Sequence, residues 1–190
     1  MKRLLVVVDM VNGFINEGAL ADEKINKITP NIVDLIEKAK KNGDTIVAFR
    51  DCHSMGDEEF KVFPPHCLKG SRESELIPEL KKYEKDMLII DKNTTNGFVT
   101  NEFTELVSKV EFDDVLVVGC CTDICVNGFV NSYLEFNKKN DKNTKIRVDA
   151  SSCYTFDGEG HDAELMHKKA LEQMESNGAN VINLCQKRSR

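Results

Sequence analysis

Six short runs of apolar residues recur along the chain, separated by longer stretches in which apolar residues are spaced three or four apart. Most of these runs are continuous rather than alternating, which is typical of β-strands covered on both faces. Strands of this kind that alternate with helices predict a parallel sheet between two helical layers, a three-layer α/β/α sandwich. The runs lie at 4–8, 45–49, 87–90, 115–118, 145–148 and 180–184.

Three of the intervening stretches carry clear helix signals. The first helix is expected to begin at Thr29, which can cap it, to carry Pro30 in its first turn, and to end at Gly43. The other two are predicted over residues 125–136 and 162–176, where apolar side chains repeat with helical spacing.

Length and charge restrict the class of protein. A chain of 190 residues with 41% hydrophobic residues predicts one globular domain over residues 1–190. The 26 Lys and Arg against 32 Asp and Glu give a net charge of −6, which argues against a nucleic-acid partner. No apolar run approaches the roughly 18 residues that a membrane span needs, so no membrane partner is expected.

The cysteine content and the start of the chain bear on its location. The first apolar run is short and stops at Asp9, which fits a buried strand better than an export signal. Seven cysteines without regular spacing do not suggest a disulfide framework. We therefore expect a cytoplasmic protein in which a conspicuous cysteine is catalytic or metal-bound.

The segment 51–80 interrupts the alternation of strands and helices. It contains Pro64, Pro65, two histidines and several acidic residues, and it is too long for an ordinary connection. We interpret it as a functional loop inserted in the single domain.

Reactive residue types follow the predicted strands at one edge of the sheet. Asp9 follows the first run, Asp51 the second and Lys92 the third, and the segment 119–125 follows the fourth. Ligands of open parallel sheets bind outside the carboxyl ends of the strands, so these side chains are expected to meet there. An acid, a lysine and a cysteine at one edge form a set suited to nucleophilic catalysis.

Cys125 is the preferred nucleophile because it lies where the next helix should begin, and a helix N-terminus favours both a thiolate and an oxyanion. Lys92 would supply a cation and Asp9 a proton acceptor. Cys120 and Cys121 lie in the turn before the helix, where we expect a backbone role. The same spacing also fits an inert, buried thiol at Cys125.

A second set of residues in the segment 51–80 has ligand chemistry. Asp51 and His53 point to the same side of an extended segment, and His66 follows a rigid pair of prolines that can return it toward them. Carboxylate and imidazole ligands without sulfur suit zinc, manganese or iron. The alternative is two unrelated polar histidines in a loop.

Two motifs carry a resemblance that covers nearly the whole chain. Asp-x-x-x-x-Phe, from Asp9 to Phe14, and Gly-x-x-Thr-Asp-x-Cys-Val, from Gly119 to Val126, resemble those of the isochorismatase-like cysteine hydrolases. With Lys92 between them, they follow the chain order of that family's Asp/Lys/Cys triad. The resemblance implies a six-stranded parallel sheet.

The same resemblance implies roles for individual residues. Asp9, Lys92 and Cys125 would be catalytic, and the backbone N–H groups of Cys121 and Cys125 would form the oxyanion hole. A cis peptide between Cys120 and Cys121 is also implied. The family usually has small or aliphatic residues in this turn, so the two adjacent cysteines are a mild departure.

Within the family, the segment 51–80 is most similar to the metal site of nicotinamidases, which are also pyrazinamidases. The similarity is carried by Asp51-x-His53 and by the motif Phe-Pro-Pro-His-Cys-Leu-x-Gly that contains His66. It implies one divalent metal ion, with zinc preferred and manganese or iron possible. The fourth ligand would be Glu59, with Glu58 as the alternative.

The resemblance further implies deamidation of nicotinamide to nicotinic acid and ammonia through a cysteine thioester, as in NAD salvage, with Phe14 and Phe63 flanking the ring. One alternative is a related hydrolase that acts on another small amide, ureido or vinyl-ether substrate and needs no metal loop. Another is a non-catalytic binding protein of the same fold.

A homo-oligomer is possible. Tyr154 is a candidate substrate contact, and His161 and His167 are expected to be structural or solvated.

Overall fold

The computed structural model describes residues 1–184, and its centre is a single six-stranded sheet. The strand order is β3-β2-β1-β4-β5-β6, and every pairing is parallel. The sheet confirms the α/β class and the six strands expected. The strands are β1 Arg3–Val8, β2 Thr45–Asp51, β3 Leu88–Lys92, β4 Asp114–Gly119, β5 Lys145–Cys153 and β6 Asn180–Ile182.

Helices cover both faces of the sheet, because successive strand residues point to opposite sides and each side is apolar. On one face, Leu5 and Val7 of β1 share a buried cluster with the first two helices. On the other face, Leu4, Val6 and Val8 share a cluster with the last three. The helices are α1 Asn12–Ile15, α2 Thr29–Asn42, α3 Pro78–Lys81, α4 Asn101–Lys109, α5 Asn127–Lys139 and α6 Ala163–Ser176.

The helix ends match the sequence predictions in part. Gly43 ends α2 in a left-handed conformation, with φ of 72°, as expected. Thr29 was wrongly expected to cap α2, because the helix continues directly from the 3-10 turn Glu23–Ile28, and the Thr29 hydroxyl donates to Asn26 Oδ1 at 2.7 Å instead. None of the helices in residues 1–184 has the length and apolar content needed to cross a membrane.

The helix predicted over residues 125–136 begins two residues later than expected. A π-helical turn, Thr122–Val126, comes first, and α5 continues from it. Turns of this kind are frequent at functional sites. Cys125 therefore lies within an irregular turn rather than in the first turn of a regular helix.

The segment 51–80 folds back on itself beside the carboxyl edge of the sheet. The backbone N–H of His53 donates to Cys67 O at 2.9 Å, and Lys69 N–H donates to His53 O at 2.8 Å. These bonds bring the residues around position 66 next to the end of β2. The segment is thus built as a loop pinned to a strand end, and Glu58–Lys61 forms a short 3-10 turn within it.

Candidate active site

Lys92 is the centre of a buried group of charges at the carboxyl edge of the sheet. Its Nζ lies 2.8 Å from Asp9 Oδ2 and 2.7 Å from Asp51 Oδ1. It also donates to Thr94 O at 2.9 Å and lies 3.8 Å from Cys125 Sγ. Asp51 and Lys92 are register partners on β2 and β3, and Asp9 follows the adjacent β1, so strand order alone brings these charges together. We call Asp9, Lys92 and Cys125 the lysine cluster.

Ion pairing controls the charge of Lys92 and Asp51. Burial opposes the charged form of Lys92, but the neighbouring Asp9, Cys125 and Asp51 outweigh it and raise the lysine pKa well above its ordinary value. Burial would likewise raise the pKa of Asp51, yet Lys92 and hydrogen bonds from His53 and other neighbours hold that pKa well below its usual range. Both groups are therefore ionised at neutral pH.

Asp9 and Cys125 respond differently to burial. Burial raises the pKa of Asp9 to about 6, with Lys92 opposing the shift and Asp51 adding to it. Burial also raises the pKa of Cys125 well above its ordinary value, and Lys92 only partly offsets this. At neutral pH the site therefore holds a carboxylate beside a thiol. A base must therefore remove the thiol proton, which is the part expected of Asp9.

The turn that carries Cys125 is fixed against the end of β1. Gly119 has a φ of 118°, and a Cβ on it would lie 2.1 Å from Val8 O, so only glycine allows this approach. The peptide between Cys120 and Cys121 is cis, as the resemblance implies. Cys120 Sγ donates to Asp9 O at 3.2 Å, which fits the expected backbone role of Cys120. The oxyanion role of the Cys121 and Cys125 N–H groups stays a prediction.

The predicted metal ligands form a second cluster that shares Asp51 with Lys92. His53 Nε2 and His66 Nε2 each lie 3.0 Å from Asp51 Oδ2. Glu59 Oε1 lies 3.9 Å from the first of these nitrogens and 3.8 Å from the second. All four ligand atoms lie within 4.8 Å of one another. We call Asp51, His53, Glu59 and His66 the histidine cluster.

The chemistry of the histidine cluster fits a divalent cation. His66 Nδ1 donates to Pro64 O at 2.7 Å, so its Nε2 keeps a lone pair, and this buried nitrogen has no partner of hydrogen-bond geometry in residues 1–184. His53 Nδ1 is oriented by Asp57 Oδ2 at 3.1 Å. Metal-binding histidines commonly have outer contacts of this kind. Glu58 does not join the cluster, because it is exposed and pairs with Lys61.

A cavity of about 280 Å³ lies between the two clusters. The predicted ring contacts Phe14 and Phe63 both line it, together with Cys121, Cys125 and two members of the histidine cluster. The Phe14 and His66 rings are 5.7 Å apart between centroids, and the Phe63 and His66 rings 6.3 Å. The cavity is thus a largely apolar space bordered by the Cys125 thiol and by the His66 and Glu59 ligand groups.

Some side chains near the cavity were missed or misjudged from the sequence. Phe156 lines the cavity, whereas Tyr154, the candidate substrate contact, turns its hydroxyl to Glu164 Oε1 at 2.6 Å. His161 and His167 both contact the turn that carries Cys125, at Asp123 and Thr122, which fits the structural one of the two roles expected for them. The adjacency of β4 and β5 in the sheet explains these contacts, since the segments that follow the two strands meet.

Comparisons with known proteins identify the family and agree with the fold. A family model described as the isochorismatase domain matches residues 3–186. Nicotinamidase 1 from Arabidopsis thaliana is 32% identical over 207 residues, covering 94% of this chain and 84% of the plant protein. A solved pyrazinamidase/nicotinamidase from Streptococcus mutans UA159 has a TM-score of 0.82 at 25% identity, covering 95% of this chain and 100% of the other. A pyrazinamidase of Pyrococcus horikoshii solved with zinc shares the fold, with a TM-score of 0.77 at 24% identity, covering 97% of this chain and 100% of that one.

Proposed function

The chain belongs to the isochorismatase family, and from that premise we propose that it is a nicotinamidase, a hydrolase that converts nicotinamide to nicotinic acid and ammonia. The observation that carries the proposal is a cavity that Cys125 of the lysine cluster lines together with Glu59 and His66 of the histidine cluster, between aromatic walls. A small, flat amide with a ring nitrogen matches both ends of this space. On this proposal the product would re-enter NAD synthesis by salvage in the cytoplasm.

Asp51, His53, Glu59 and His66 would hold one divalent cation, with zinc favoured by the nitrogen and oxygen donors. When bound, the cation would offer an open coordination position to the ring nitrogen of the substrate. Phe14 and Phe63 would flank the ring and exclude water from its faces.

Attack by Cys125 would begin with proton transfer to Asp9, which is a carboxylate at neutral pH beside a protonated thiol. The sulfur would then form a bond to the amide carbon, and the carbonyl electron pair would move to the oxygen. The N–H groups of Cys121 and Cys125 would stabilise this oxyanion. Lys92, ionised and 3.8 Å from the sulfur, would stabilise the negative charge as the thiolate develops.

Collapse of this intermediate would break the carbon–nitrogen bond. Asp9 would return its proton to the leaving nitrogen, so that ammonia departs and a thioester remains on Cys125. Asp9 would next take a proton from water, whose oxygen attacks the thioester carbon. The carbon–sulfur bond then breaks, Asp9 returns this proton to the sulfur, and nicotinic acid and the free thiol are formed.

The test is release of ammonia from nicotinamide by the purified protein, measured as prepared, after chelation, and after metal is restored. Release that chelation suppresses and metal restores would support the proposal. No release from metal-loaded protein would reject nicotinamide and favour the related hydrolase of another amide, ureido or vinyl-ether substrate. Release that is insensitive to chelation would keep the substrate and remove the metal from the mechanism.

A further inference from the structure

His161 contacts two parts of the molecule that must be held in place for any reaction in the cavity. Its Nε2 lies 2.8 Å from Oδ2 of Asp123, which belongs to the turn that carries Cys125. Its ring lies flat against Phe156, with centroids 3.9 Å apart and planes inclined by 5°. Phe156 in turn lines the cavity. One side chain thus touches both the support of the candidate nucleophile and a wall of the candidate substrate space.

Both nitrogens of the His161 ring have hydrogen-bond partners. Nδ1 lies 2.9 Å from Phe156 O, and because a carbonyl only accepts, Nδ1 is the donor in this bond. Nε2 lies 2.8 Å from Oδ2 of the Asp123 carboxylate. The ring is therefore held at one nitrogen by the backbone of its own loop and at the other by the turn that carries Cys125.

The pair lies largely out of solvent. The His161 side chain is 17% exposed and that of Asp123 10% exposed. Oδ1 of Asp123 is buried and has no hydrogen-bond partner in the part of the chain that the structure describes, so the carboxylate depends on His161 for its compensation. Removing the His161 ring leaves a largely buried carboxylate without this hydrogen-bond partner, and the cost falls on the turn that carries Asp123.

The backbone holds the histidine in place independently of the turn. Gly158 N–H donates to His161 O at 2.9 Å, and His161 N–H donates to Gly158 O at 3.0 Å, which closes a short hairpin. The backbone N–H of Asp157 donates to Asp22 Oδ2 at 2.9 Å, which ties the same loop to a second segment that lines the cavity. His161 therefore extends from an anchored loop toward the turn.

We infer that His161 is a positioning residue, which sets the turn of Cys125 and the Phe156 wall relative to each other through one ring. The inference rests on the proposed function for the identity of the reaction, but not for the orientation of Cys125. Its hydrogen bond to Asp123 should act on the chemical step, and its stacking on Phe156 should act on substrate binding.

Two substitutions separate these contributions. His161→Gln keeps an N–H that can reach Asp123 but loses the ring, whereas His161→Phe keeps the stacked ring and loses both nitrogens. In His161→Gln we expect kcat close to that of the unmodified enzyme and a KM raised about fivefold, because the aromatic wall is less ordered. In His161→Phe we expect the reverse, with KM close to that of the unmodified enzyme and kcat lowered about tenfold or more, because the nucleophile is misoriented.

A second readout does not depend on the substrate. The rate at which iodoacetamide alkylates Cys125, followed by mass spectrometry of its peptide, should fall about threefold or more in His161→Phe and stay unchanged in His161→Gln. Asp123→Asn serves as a partner variant, since its amide keeps a hydrogen bond to the ring and should reproduce the His161→Gln rate. Glu159→Gln, an exposed change in the same loop, is the matched control.

The outcomes are distinct. Folded variants whose kcat, KM and alkylation rates all match those of the unmodified protein would overturn the inference, as would a lower melting temperature with unchanged kinetics, which indicates a structural role only. If the unmodified protein does not turn over nicotinamide, the proposed function fails. The alkylation rates then still decide the role of His161.

Discussion

The lysine cluster and the histidine cluster lie side by side, yet the chain builds them in different ways. Lys92 ends β3 and Asp9 follows β1, with β2 between the two strands, so the order and register of the sheet place both. His53, Glu59 and His66 come from a long loop that backbone hydrogen bonds pin to the end of β2. A regular sheet edge supplies the reactive groups, and an irregular loop supplies the recognition groups.

Asp51 is where the two clusters meet, and each of its oxygens serves one of them. Oδ1 accepts from Lys92 at 2.7 Å, and Oδ2 faces both histidine nitrogens at 3.0 Å. Because the two clusters are built from different parts of the chain, the loop and its ligands could change without disturbing the strand ends. Only a change at Asp51 should affect both clusters together.

Cys125→Ala should give the largest loss of activity. It should disable the lysine cluster and leave the histidine cluster intact. Without the sulfur no thioester forms, so kcat is expected to fall about 10⁴-fold or more. Metal content should be unchanged, because Cys125 is not among the four residues of the histidine cluster. Ammonia release checks the loss of kcat, and metal analysis of the same preparation checks the metal content. Activity within tenfold of the unmodified protein would contradict the assignment of the nucleophile.

Asp51→Asn should affect both clusters at once, whereas Cys125→Ala should affect only one. The substitution removes a negative charge from the buried Lys92 and a ligand from the histidine cluster, so we expect activity to fall about 10³-fold and metal content to fall with it. The free energy of unfolding should decrease by about 3–5 kcal/mol, because Lys92 keeps its charge with one partner fewer. Denaturant unfolding and metal analysis measure these effects. Full stability with loss of metal alone would show that the clusters are independent.

Glu59→Gln should affect only the loop, and Glu58→Gln offers a matched control one residue away. Glu59 faces the two histidines, whereas Glu58 is exposed and pairs with Lys61. We expect metal affinity to fall about 10–100-fold in Glu59→Gln and to stay unchanged in Glu58→Gln. Competition with a chelator of known affinity measures both. Equal affinities in the two variants would place the fourth ligand elsewhere.

The sequence was most informative where structure follows from local pattern and strand order. Continuous apolar runs predict the strands, and the rule that ligands bind at the carboxyl edge predicts that Asp9, Asp51 and Lys92 meet there. The Thr29 cap was wrong because a preceding 3-10 turn runs straight into α2, which local spacing does not reveal. The helix α4 was missed because its apolar stripe is short.

Contacts between loops were the least accessible to sequence reasoning. The pairing of His161 with Asp123 joins residues 38 positions apart in sequence. It depends on the loops after β4 and β5 meeting, and no local motif marks it. Knowledge of strand order would have been enough to suggest the contact, because β4 and β5 are neighbours in the sheet.

The pH dependence of activity should be the smallest of these effects. It should distinguish the two clusters, because added metal counteracts protonation at only one of them. The pKa of Asp9 is raised to about 6, and its carboxylate is the form that accepts a proton, so activity is present above that pH and is lost as the pH falls through it. With metal in excess, kcat/KM should therefore fall about tenfold between pH 7 and pH 5. His53 and His66 also have raised pKa values, since Asp51 outweighs the effect of burial, so their protonation competes with metal binding. Added metal should reverse the loss at the histidine cluster but not the loss at Asp9, and a flat profile in saturating metal would remove Asp9 as the base.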